Sequence, residues 1–139
     1  MSFNSAQIHP AYFDTRFRLE GLEVIRVDSC AIVSAWATTG ETWCAKKNHS
    51  ADVQLYELLT ARGSYPLRIH GYSPTTGHSE PSWMCDLDLI EACDVGTQFH
   101  QDAIYWIYKG ELFVVLCALG KRVPVSVANF RARLDHPTL

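Results

Sequence analysis

The chain has 139 residues, 47% of them hydrophobic and 19% charged, with 12 Lys and Arg against 15 Asp and Glu. That length and composition suit one globular domain with its own core and exclude a disordered chain. A net charge of −3 excludes a dominant electrostatic grip on nucleic acid, and no apolar run reaches the ~20 residues that a transmembrane helix needs.

In chain order, Tyr12, Phe13 and Phe17 mix with Arg16 and Arg18, which suggests a short helix and then a strand. Leu22–Val27 alternates loosely and predicts a strand. Cys30–Ala37 is β-branched and apolar and predicts a buried strand, and the polar stretch Thr38–Lys47, with Gly40, a loop. Asn48–Arg62 predicts a helix, because Ala51, Leu55, Leu58, Leu59 and Arg62 recur at helical spacing. Asn48 or Ser50 is the expected cap of its first turn, and Gly63 its end.

Tyr65–Tyr72 predicts the next strand, Ser73–Ser79 with Pro74 and Gly77 a loop, and Pro81–Cys85 a short strand. Asp88 and Glu91 have capping-box spacing ahead of a helix carrying Leu89, Ala92, Cys93, Gly96 and Phe99. Ala103–Tyr108, the turn Lys109-Gly110 and the apolar Glu111–Leu119 predict a hairpin. Beyond Gly120 the pattern weakens, and Arg131 and Arg133 suggest a solvated face.

The order is strand, helix, strand, strand, helix, strand, strand. It implies one α+β domain over residues 1–139: a mixed, mostly antiparallel sheet with two main helices, a βαββαββ core that suits a ferredoxin-like arrangement with added strands. A strand–helix–strand crossover leaves its strands parallel, and a short connection makes them antiparallel. Strands 30–37 and 65–72 should therefore point one way, 81–85 and 103–108 the other. This brings Asn48, His78, Glu80 and Gln101 to one end of the sheet, with Ser82 nearby.

Several chemistries can be assembled from these residues. Glu80 is a candidate general base, or a carboxylate for a donor-rich ligand; a structural Glu accepting backbone N–H bonds is the plainer reading. Asn48 and Gln101 suit structural bonding or ligand contact. His70, His78, Glu80 and His100 are proper ligand types for a metal, but no H-E-x-x-H or paired helix ligands accompany them, so neither metal nor cofactor is expected. Ser79 or Ser82 with His78 and Asp86 makes a triad only on paper, without a nucleophile elbow. The loop G-Y-S-P-T-T-G-H lacks the Gly-Lys-Ser/Thr ending of a phosphate-binding loop. Trp36, Trp43, Trp83 and Trp106 suit packing as well as base stacking. Cys30, Cys44, Cys85, Cys93 and Cys117 contain no C-x-x-C pair; Cys30, Cys93 and Cys117 sit among apolar neighbours, and core cysteines are expected rather than zinc ligands.

The segment Gly71–Cys117, with G-H-S-E-P-S-W at 77–83, F-H-Q-D-A-I at 99–104 and then E-L-F-V-V-L-C, resembles a bacterial family, domain of unknown function 3293. K-N-H-S-A-D-V-Q-L-Y-E-L-L at 47–59 is similar to its Asn-led helix, and Tyr12 and Thr15 to its Tyr-x-x-Thr. Where members carry Asn-Pro after the first strand, this chain has Ala37-Thr38-Thr39. The resemblance implies no established activity.

The leading functional expectation is a binding module for a small polar ligand, a nucleotide among the candidates, with Asn48, His78, Glu80, Ser82 and Gln101 at the site. The alternatives are a hydrolase with Glu80 as base and a protein-interaction domain whose partner is unknown. Met1–Pro10 lacks the pattern of a signal peptide, so a cytoplasmic protein without a membrane partner is expected.

Overall fold

The computed structural model describes residues 8–20, 29–37 and 42–135. The strand expected over Leu22–Val27, and Thr38, Thr39 and Gly40 of the expected loop, lie outside them. A short 3-10 helix, Pro10–Phe13, precedes β1 (Arg16–Leu19) and β2 (Ser29–Val33). Then come α1 (Ala45–Ala61), β3 (Leu67–Tyr72), β4 (Ser79–Cys85), α2 (Leu89–Gln98), β5 (Ala103–Tyr108) and β6 (Glu111–Leu116). The weakly patterned end forms β7 (Val125–Asn129), α3 (Phe130–Arg133) and β8 (Leu134–Asp135).

The eight strands form one sheet in the order β7-β6-β5-β2-β4-β3-β1-β8. Its centre, β5-β2-β4-β3 with α1 and α2 as crossovers, is the ferredoxin-like split βαβ arrangement. β2 is antiparallel to β4 and β5, and β3 to β4, so β2 and β3 point one way and β4 and β5 the other, as the crossovers require. Among the described residues only β1 and β8 pair in parallel. Lys109 and Gly110 both take positive φ, 50° and 81°, the geometry of a two-residue hairpin turn between β5 and β6.

Each face of the sheet has a core. Val33, Cys85, Ile104 and Val115 meet Leu55 and Leu59 of α1 and Ala92, Cys93 and Val95 of α2 on one side. On the other, Phe17, Ile32, Ile69, Met84, Tyr105, Ile107, Val114 and Phe130 pack together. This second core exists because the sheet curls. Laid flat at about 4.8 Å per strand, eight strands would hold their edges about 34 Å apart. Between β7 and β8, however, the chain has only the four residues of α3, so Asn129 and Leu134 stand no more than about 18 Å apart even when fully extended. Phe130 closes the curl: its ring lies 5.9 Å from that of Phe17 on β1, and its N–H donates to Gly110 O at 2.9 Å.

Two expectations need correction. α1 begins at Ala45, not Asn48, with Cys44 at its N-cap and no side-chain cap. Asn48 and Asp52 lie on the buried stripe of α1 with Leu55 and Leu59, where polar residues interrupt the apolar spacing and hide the first turn. Arg133 is no solvated face: its Nη1 donates to Phe13 O at 2.8 Å and Thr15 O at 3.2 Å. Asp88 does cap α2, accepting from Glu91 N at 2.8 Å. Of the five cysteines, all with free thiols, only Cys44 is exposed; burial pushes the Cys30 and Cys85 thiols up to about 12. Among the described residues no helix is long and apolar enough to cross a membrane.

Gly96 lies where α2 packs closely against Ile104 of β5 and against Cys117. A Cβ there would lie 2.6 Å from Cys117 Sγ and 2.9 Å from Ile104 Cγ2. Gly96→Ala should therefore lower the stability measured by urea unfolding by about 1–3 kcal/mol, the usual cost of overpacking. Adding Cys117→Ala should recover part of that loss, because it removes the nearer of the two clashing atoms.

Candidate functional site

The curl leaves a cavity of about 320 Å³ at one end of the inner core. Strand alternation aims three strands into it. On β4, Glu80 and Ser82 share the inner face with Met84, whereas Cys85 turns to the helices. Ile32, and Ser34 just past the end of β2, follow Cys30 on the inner face, and Ala103 and Tyr105 do the same on β5. Gly71 of β3 lies opposite Glu80 in the register.

Glu80 is the carboxylate of this cavity. Ser34 Oγ donates to its Oε1 at 2.5 Å, and His78 Nε2 lies 3.8 Å from its Oε2. Its side chain keeps 28% of its surface open, so a solute can reach it. Burial pushes the carboxyl above its ordinary value of 4.5, and the Ser34 hydrogen bond and the neighbouring His78 oppose that shift. His78 itself is exposed at the rim.

Asn48 and Gln101 hold the wall rather than form the floor. Asn48 Oδ1 accepts from Ala37 N at 2.9 Å from behind, and Asn48 does not line the cavity. Gln101 does line it, but its Nε2 donates to Trp36 O at 2.7 Å and Phe99 O at 3.2 Å, so it can offer a ligand only its amide oxygen. Ser34 Oγ also accepts from Trp36 N at 3.2 Å. Three side chains thus fix the segment 34–37 in place.

The opposite wall is the N-terminal turn. Tyr105 OH donates to Tyr12 O at 2.7 Å, and Arg133 grips Phe13 and Thr15 as above. Burial keeps the Tyr105 phenol neutral, well above its ordinary value, although a hydrogen bond with Thr15 opposes the shift. The Tyr105 ring stands edge-on to Phe17, with centroids 5.1 Å apart. Tyr12, Thr15, Phe17 and Tyr105 all line the cavity.

His78, Glu80, Ser82 and Gln101 therefore share one cavity; the other assemblies do not form. His70 sits on the opposite face of β3 from Gly71, its Nε2 3.0 Å from Glu20 Oε2. His100 lines a second groove with Trp43, Lys46 and Lys47. No group of three metal-ligating side chains occurs among the described residues. Asp86 lies past the far end of β4 from His78, roughly 26 Å along an extended strand, and accepts from Ser64 Oγ at 2.6 Å. In the 73–78 loop, Ser73 Oγ accepts from Thr75 N and Thr76 N, and Gly77 N and His78 N bond to Ser73 O and Thr76 Oγ1. Those amides serve the turn, not a phosphate.

Ser34, Tyr105 and Phe17 line the cavity but were not among the residues expected there. The signal for Ser34 was a hydroxyl inside the apolar run Cys30–Ala37, where a buried polar group needs a partner.

Glu80 also gives a pH dependence. In the unfolded chain its carboxyl ionises near 4.5, and in the folded chain at higher pH. The folded state therefore holds the proton more tightly, and stability falls as pH rises from 4.5 through the folded value. Glu80→Gln cannot titrate and can still accept from Ser34. Its stability relative to wild type, measured by urea unfolding from acid to neutral pH, should rise across that interval. A difference independent of pH would mean that the carboxyl ionises at its ordinary value.

No curated protein and no solved structure matches the chain. A family model does, over residues 33–104, which hold Ser34, Asn48, His78, Glu80, Ser82 and Gln101 but neither Tyr12 nor Thr15. That stretch is more than half of the 139 residues, and the chain belongs to the family described as Protein of unknown function (DUF3293).

Proposed function

We propose that the protein is a binding module for a small polar ligand, taken up in the curl of the sheet with hydrogen-bond donors facing Glu80. The observation that carries this reading is a solvent-reachable carboxylate, held by Ser34, inside a preformed cavity of about 320 Å³. That volume is at the lower end of the range for small-molecule sites. The chemistry fits: a carboxylate accepts only, so it selects donors such as amines, amides or the donor edge of a base. A nucleotide would enter by its base or sugar, because the described lining residues include no Lys or Arg for phosphate.

A second reading has one observation in its favour. A carboxyl whose proton affinity is raised by burial, next to open space, is suited to general acid–base work. In that case Glu80 acts as the base of a hydrolase.

One experiment separates the two readings. Thermal unfolding is followed with a panel of nucleosides, nucleotides, amines, amides and divalent metals, and bound compounds are then tested for turnover. A ligand at a hundredfold excess over Kd should add about 2.7 kcal/mol, a rise of several degrees in Tm. Glu80→Gln should fold and lose the shift. Turnover abolished by Glu80→Gln would favour the hydrolase. Stabilisation that survives the substitution would remove Glu80 from the site.

A further inference from the structure

The charge balance of the cavity narrows the ligand further, on the premise that this cavity binds one. We propose that the ligand is a small organic cation, a primary amine or an amidinium, whose N–H groups face Glu80 and whose body lies against Tyr12 and Tyr105.

Three observations converge on a cation. First, Glu80 is the only carboxylate among the described lining residues, and they offer it no Lys or Arg. Its neighbours are the neutral hydroxyl of Ser34 and the exposed His78 at 3.8 Å. A part-buried charge without a full counter-charge is stabilised most by a ligand that brings one.

Second, the groups that could have welcomed an anion are engaged elsewhere. The amides of the 73–78 loop bond within their own turn. Arg133, which packs behind the N-terminal turn, directs Nη1 to the carbonyls of Phe13 and Thr15. A second carboxylate stands outside the lining: Asp14, after the N-terminal turn, accepts from Ser73 Oγ at 3.2 Å and Thr75 Oγ1 at 3.1 Å. Outside the lining Asp14 and Arg133 offset one another, so the charge that a ligand meets in the lining itself is the Glu80 carboxylate.

Third, aromatic rings line the cavity beside the carboxylate, and such walls favour cations over anions of the same size. A primary amine or amidinium fits better than a quaternary ammonium, because Glu80 Oε2 needs a donor.

The test compares matched probes. Benzamidine, 2-phenylethylamine and 1,4-diaminobutane are the cations; benzamide and 2-phenylethanol are neutral counterparts; benzoate, AMP and inorganic phosphate are anions. Binding is read from Tm and from amide ¹H–¹⁵N spectra of the wild type, Glu80→Gln and Thr76→Lys. Thr76 is exposed on the rim loop, so the added lysine can be carried without disturbing the core. At least one cation should bind and move the amides of Ser34, Gly71, Glu80 and Gln101, with its neutral and anionic counterparts at least tenfold weaker. Glu80→Gln should weaken that cation at least tenfold, and Thr76→Lys severalfold. Stronger binding of an anion or a neutral probe at those same amides would overturn the cation proposal and leave the binding reading standing, as would cation binding that Thr76→Lys does not weaken. If no probe of any charge moves those amides, both fall.

Discussion

Four residues of chain separate the two edges of an eight-stranded sheet, and the rest of the architecture follows from that restraint. A flat sheet would hold β7 and β8 too far apart for α3 to join them. The sheet therefore bends, and the face turned away from α1 and α2 becomes an interior. Asp135 fastens the far edge. It accepts from Arg16 at 3.0 and 3.1 Å and from the Tyr72 hydroxyl, and Arg18 lies 3.5 Å away. The Tyr72 hydrogen bond and then Arg16 hold the Asp135 carboxyl below its ordinary range. A two-residue strand keeps its place because these polar contacts supplement a very short ladder.

The curl also explains why the inner face is packed along the middle of the strands and open and polar at one end. Inner positions near the middle of the strands carry Ile32, Ile69, Met84 and Ile107, which fill the space between opposing walls. Towards the end, Ser34, Glu80 and Ser82 occupy the same inner face, and the packing opens. The wall there is an irregular segment, 34–37, whose backbone groups would lack strand partners. Ser34, Asn48 and Gln101 provide them. Asn48 and Gln101 are therefore positioning residues for Glu80's surroundings. The Arg68–Asp52 fork, 3.0 Å at its Nη1–Oδ1 contact, ties α1 to β3 at the back of the same region, and Arg68 also donates to Ser82 O at 3.3 Å.

The central fold was legible because each of its steps is local. Helical spacing located α1 and α2, and the handedness and direction rules for crossovers oriented β2 to β6. From those directions alone, Asn48, His78, Glu80 and Gln101 could be brought to one end, with Ser82 nearby. What stayed hidden depends on distant contacts. β7, α3 and β8 are short and only half-buried, so they carry no strong periodicity; their pairing with β6 and β1 makes them elements. Arg133 looked solvated because its partners are carbonyls 118 and 120 residues away. Asn48 looked like a cap because Asn so often is one; its real partner, Ala37 N, belongs to another segment.

The matched family stretch and the cavity overlap in part. Residues 33–104 contain Ser34, Tyr72, His78, Glu80, Ser82 and Gln101 of the lining. Tyr12, Thr15, Phe17 and Tyr105 lie outside it, and the three rings are locked to one another by ring contacts and by the Tyr105–Tyr12 hydrogen bond. The two parts meet only when the sheet has curled and the N-terminal turn has docked. The ferredoxin-like centre alone would leave Glu80 on an open sheet face in bulk water, where a lone carboxylate discriminates little between solutes. Closure by β1, α3 and β8 adds the apolar walls and lowers the local dielectric, and each hydrogen bond made to that carboxylate gains weight. On the proposed reading, selectivity at Glu80 would be a property of the outer strands as much as of the residue itself.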